Sequence, residues 1–195
     1  LKTRDFPYFQ IFKEIYTVQK TVAEVPNIDF DKVRKFIGSL QKAAKLWYII
    51  HNPKQALNND MIDEAQAYWL EKLMRLGMGP FAPLTLSVYM VSDNAAERVN
   101  YLQAIESFIF LNYRCSGRKT NLGNSHFPLM ASRLYYGVEG LTVAKATDEI
   151  NWWTFGNSND GYFTTDRFVA VIKDQFAHSK KNGYYDWSGL KYLLY

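Results

Sequence analysis

The stretch SDNAAERVNYLQAIESFIFLNY, residues 92–113, decides how the rest of the chain is read. Ser92 and Asp93 carry short oxygen-bearing side chains that can accept from the free N–H groups of a helix's first turn. Behind them Ala95, Val99, Leu102, Ile105, Ile109 and Tyr113 recur three or four residues apart. That spacing lines one face of an α-helix and needs a partner surface to bury it.

The same period runs outward in both directions. Val33, Phe36, Ile37, Leu40, Ala44, Trp47 and Ile50 define a helix that Asn27 or Asp29 can cap and that Asn52-Pro53 stops. Another is expected from Asn59-Asp60, with Asp63 and Glu64 in its first turn and Met61, Ile62, Ala65, Trp69, Leu73 and Leu76 as its apolar positions. Gly77-Met78-Gly79-Pro80 ends it, and Pro83 opens a short apolar helix. Downstream, Phe127 to Tyr136 reads as a helix closed by Gly137 and Gly140, and Val143 to Thr154 follows Thr142. Thr164 or Thr165 caps a helix bearing Phe168, Val169, Ile172 and Phe176. Near the start, Phe9, Ile11, Phe12, Ile15 and Tyr16 keep helical spacing up to Pro26. No segment alternates with period two. The expected fold is all-α, an irregular bundle of about eight or nine helices whose apolar faces cover one another. The polar run Ser116 to Asn124 is the expected hinge, giving a front lobe over 1–115 and a back lobe over 116–195; a single compact domain fits equally well.

Composition narrows the classes. A chain of 195 residues buries roughly 70% of its unfolded surface. With 48% hydrophobic residues, 14 Tyr and 13 Phe, it is too apolar and aromatic to be disordered. No apolar run approaches the roughly 20 residues of a membrane span. The single cysteine, Cys115, excludes an internal disulfide and makes a cytoplasmic setting the default expectation. A net charge of +4 permits nucleic-acid contact without requiring it.

Chemistry-bearing motifs are sparse. His51, His126 and His178 stand at no metal-ligand spacing from one another or from Cys115, so neither a metal nor a cofactor is expected. Cys115-Ser116-Gly117-Arg118-Lys119-Thr120 lacks the first glycine and the Gly-Lys-Thr ending of a phosphate-binding loop. Glu14, Glu71, Glu106, Asp148 and Glu149 form no recognisable acid–base pair. Charge is unevenly placed, however. Residues 112–145 hold five bases (Arg114, Arg118, Lys119, Arg133 and Lys145) against the acid Glu139, whereas 61–110 holds six acids against three bases. Arg114, Arg118, Lys119, Arg133, Lys180 and Lys181 are therefore the candidate nucleic-acid contacts, through phosphates. Trp152-Trp153, Tyr184-Tyr185 and Trp187 are candidates for base stacking, although aromatics in such numbers more often fill a core.

The closing run Tyr184-Tyr185-Asp186-Trp187-Ser188-Gly189-Leu190-Lys191-Tyr192-Leu193-Leu194-Tyr195 resembles the aromatic Trp-Ser-Gly … Tyr-x-Leu-Tyr segment of GmrSD-type restriction proteins. Phe108-Ile109-Phe110-Leu111-Asn112-Tyr113-Arg114, followed by a polar loop, is similar to their central helical region. The resemblance implies a ParB-like nucleotide-hydrolysing domain before this region and a His-Asn-His-like nuclease domain after it, in a parent that restricts foreign DNA. Neither the Asp-Gly-Gln-Gln-Arg motif of the first nor the His-x-x-Pro motif of the second occurs here, so no catalytic residue carries over. The expectation is a segment of a longer polypeptide: a non-catalytic central domain whose partners are the flanking domains and double-stranded DNA, with no membrane role. The alternative is a helical protein-interaction module without nucleic acid.

Overall fold

Caps and breakers set the helix boundaries in the computed structural model, which describes residues 30–115, 123, 125–156, 165–177 and 192. Helix α1 (Phe30–His51) runs to the predicted stop. Pro53 stops it and also opens α2 (Pro53–Asn58), because proline's missing N–H costs nothing in a first turn. Helix α3 (Glu64–Leu76) begins later than expected, where the Asp63 carboxylate accepts from Gln66 N at 2.7 Å. It ends at Gly77, whose φ of 85° suits glycine. A 3₁₀ turn (Gly79–Phe81) leads into α4 (Ala82–Val91).

Helix α5 (Ala95–Phe108) is capped by Asn94, not by Ser92 or Asp93. The Asn94 side-chain oxygen accepts from Ala96 N at 2.9 Å and Glu97 N at 3.3 Å. Ser92 instead donates to the Glu97 carboxylate at 2.6 Å. From Ile109 to Cys115 the same rod continues as π-helix. Helix α6 (His126–Tyr136) closes on Gly137 in the left-handed region. After a 3₁₀ turn (Val138–Gly140), α7 (Val143–Phe155) starts with Thr142 accepting from Lys145 N. Helix α8 (Thr165–Ala177) carries the expected positions Phe168, Val169, Ile172 and Phe176. The fold is thus all-α, with eight α-helices and no strand among the described residues.

Two compact units divide inside α1, at Lys45/Leu46. In the second unit α5 is sandwiched between α3 and α7, α4 packs on α6, and α2 packs on α3. Helices on either side of the polar run 116–124 therefore pack together, α4 with α6 and α5 with α7. The core centres on Phe81, Phe108 and Phe127, all fully buried. Phe108 meets Phe81 and Phe127 edge-on at centroid distances of 5.2 Å and 5.2 Å, and Phe81 lies 4.1 Å from Phe127. Beside them Thr85 donates to Phe81 O at 3.0 Å, leaving its oxygen to accept from the Tyr101 hydroxyl at 3.1 Å. Burial raises the Tyr101 phenol pKa, which keeps it a neutral donor.

Gly123 controls entry into α6. Its carbonyl accepts from His126 N at 3.0 Å and Phe127 N at 2.9 Å, with φ at +81°. A Cβ here would lie 2.1 Å from Phe127 Cε2. Gly123→Ala should lose about 2–3 kcal/mol, through strain at positive φ and displacement of a buried ring. The check is a lower urea midpoint at unchanged m.

Candidate nucleic-acid interface

The two described arginines among the predicted contacts are both engaged within the protein. Arg114, at the end of the π segment, donates from Nη2 to Leu76 O at 2.6 Å and so satisfies the C-terminus of α3. It also lines an open cleft of about 580 Å³ with Leu76, Gly77, Gly79, Pro80, Pro83, Tyr113 and Pro128. Burial pushes the neighbouring Tyr113 phenol up to about 12. Arg133 is paired with Glu139 across the end of α6. Arg118, Lys119, Lys180 and Lys181 lie outside the described residues, as do Tyr184, Tyr185 and Trp187. Trp152 is half exposed and Trp153 partly buried, their rings edge-on with centroids 6.2 Å apart.

Exposed basic density also stands on α1. Arg34, Lys35, Lys42 and Lys45 are all exposed, and all belong to the first unit. At about 100° per residue they fall within an arc of about 100°. The apolar positions Val33, Phe36, Ile37, Leu40 and Ala44 occupy the other side of the helix. Arg34 and Lys45 are separated by about 16 Å along the axis at 1.5 Å per residue. Asp31 joins this arc in the first turn, where it complements the helix dipole and pairs with Arg34 at 3.4 Å. Such a strip of exposed cations suits a run of backbone phosphates. The signal was present in the sequence, as bases spaced to share one helical face.

Other polar groups meet where the sequence showed no pairing. His126, at the start of α6, and Glu149, on α7, approach to 2.7 Å between Nε2 and Oε1. The His126 ring also lies against Trp153, with centroids 5.3 Å apart. This contact ties two helices that follow each other in sequence, and both side chains keep partial solvent access. Cys115 is buried, and burial pushes its thiol up to about 12, which suppresses the thiolate a nucleophile needs. Among the described residues no three His, Cys, Asp or Glu side chains gather to hold a metal ion. Nor is any described helix long and apolar enough to cross a membrane. Comparison with protein-family models, curated proteins and solved structures gave no match to the chain.

Proposed function

We propose that this chain is a helical coupling module of a restriction-type protein and that it engages duplex DNA phosphates through the basic face of α1. The observation that carries the DNA contact is the alignment of Arg34, Lys35, Lys42 and Lys45 on one exposed helical arc. The restriction setting rests on the resemblance of residues 108–114 and 184–195 to the central region of GmrSD-type proteins. In this reading the module sits between hydrolase and nuclease domains in the cytoplasm. The packed rod of α5 and its π extension, braced by α3 and α7, supplies the stiffness that coupling requires.

Fluorescence anisotropy on a labelled duplex, across a salt series, tests the contact. The wild type should bind at low salt and weaken as salt rises, because each neutralised phosphate releases counterions. Replacing all four α1 bases by alanine should flatten the log K against log salt slope by roughly 0.9 per lost contact. All four are exposed, so each change should leave stability within about 0.5 kcal/mol. Arg118→Ala/Lys119→Ala, measured alongside, reports separately on the loop.

One observation favours a protein partner instead. Phe30, Ile37 and Leu40 are exposed on the same helix, and large exposed apolar groups on one face suit a protein surface. No DNA binding at low salt, or a slope unchanged in the quadruple variant, would replace the DNA reading with this one.

A further inference from the structure

Lys72 projects from α3 into a box of aromatic rings. Its Nζ lies 4.9 Å from the Tyr68 ring centroid, 4.8 Å from Trp69 and 5.7 Å from Tyr192. Cation–π attraction acts within about 6 Å of a centroid, so one ammonium is shared by three rings. Tyr68 and Trp69 stand at 82° to each other with centroids 5.3 Å apart, giving two walls at nearly a right angle. The third wall is braced from behind. The Tyr192 hydroxyl donates to Glu106 Oε1, and its ring rests on Phe110 at 5.1 Å. Burial first, and the Glu106 carboxylate second, raise the pKa of this phenol, so it remains a neutral donor.

The present occupant fits this box poorly. A primary ammonium carries three N–H donors and is strongly hydrated. Among the described residues it makes no ion pair and no hydrogen bond, only ring contacts. Ring faces attract charge but satisfy donors weakly. A methylated ammonium has the same charge with fewer or no N–H groups, so entering the box leaves less unsatisfied. Tyr68 is 52% exposed, which leaves the box a mouth to solvent.

We propose that Tyr68, Trp69 and Tyr192 form a binding site for a methylated ammonium group, which Lys72 fills as a tethered surrogate in the free protein. Glu106 is a positioning residue that sets the Tyr192 ring. The ligand chemistry is a quaternary or methylated ammonium, carried by a lysine side chain or by a choline-type headgroup. This site is independent of the basic face of α1.

The test is a titration of the full chain with tetramethylammonium, followed by the indole N–H resonance of Trp69. The Lys72→Ala chain should bind with an affinity on the order of millimolar and at least about tenfold more tightly than wild type, since a tethered competitor has been removed. Adding Tyr68→Ala, at a position already exposed, should weaken binding at least about threefold through loss of one ring. Lys72→Met keeps the aliphatic stem without the charge and should stay folded by circular dichroism. A trimethyl-lysine tripeptide and choline, titrated in parallel, separate the two sources by relative affinity. A folded Lys72→Ala or Lys72→Met chain whose Trp69 resonance does not move overturns the proposal. So does equal binding with and without Tyr68.

Discussion

Phe108→Ala should lower the unfolding free energy by about 3–5 kcal/mol, the largest single loss expected in this protein. Phe108 is fully buried and touches Phe81, Phe127 and Tyr113, the last at a centroid distance of 5.5 Å. These rings come from the 3₁₀ turn, α6 and the π segment, so truncation opens a cavity where three elements meet. The walls cannot collapse into it, because each ring is held by its own backbone element. Against a typical total of about 5–15 kcal/mol, such a loss leaves little margin. Urea unfolding followed by circular dichroism gives the number, and Phe108→Leu should recover part of it by refilling volume. A Phe108→Ala unfolding free energy within about 1 kcal/mol of wild type would remove this trio from the centre of the core.

Arg98→Ala should cost about 2–4 kcal/mol, large for a charged side chain. The guanidinium is buried on α5 and serves the end of α4. Its Nε donates to Ser92 O at 2.8 Å, and its Nη2 donates to Tyr89 O at 3.1 Å and to Asp93 Oδ1 at 3.0 Å. Its plane lies over the Tyr89 ring, 4.3 Å from the centroid. Truncation strands two carbonyls at a helix C-terminus and removes the stack together. Arg98→Lys should rescue little, because one ammonium cannot span the fork. Asp93→Ala should cost under about 1 kcal/mol, since that carboxylate is 92% exposed and its pair is screened. Equal losses for Arg98→Ala and Asp93→Ala would assign the effect to the ion pair and refute the carbonyl clamp.

Much of the architecture was legible from residues. Gly77, Gly137, Thr142 and Pro83 mark the ends they were expected to mark, because each solves a local backbone problem without tertiary help. Two elements depart from their sequence pattern. Pro53 stops α1, as its sequence position implies, but it also starts α2. The apolar spacing of α5 implies one buried face, whereas Arg98, Tyr101, Ala104 and Phe108 are also buried and Ala95 is exposed. A helix sandwiched between α3 and α7 buries two sides, and its pattern no longer shows a single apolar arc.

The candidate interface was less legible. Bases outnumber acids over 112–145, but Arg114 and Arg133 are engaged by Leu76 O and Glu139. A lone arginine's sequence does not disclose whether a distant carbonyl awaits it, and Leu76 is 38 positions away from Arg114. The bases of α1 were readable by angle around the helix, once its apolar side had been assigned. The box around Lys72 was only half visible: Tyr68 and Trp69 lie one turn before the lysine, while Tyr192 arrives from the far end of the chain.

The π segment from Ile109 to Cys115 works as a phase shifter. Each π turn holds one residue more than the hydrogen-bonding register of an α turn needs. Side chains before it and within it therefore keep two different angular clocks on one rod. Rewinding it as α-helix with every residue retained would give the rod the commoner winding, with its backbone bonds still made. The rewinding would nevertheless swing Arg114 and Cys115 by about 100° relative to α5. Arg114 would then miss the end of α3, so the damage would be to bearing and not to helicity.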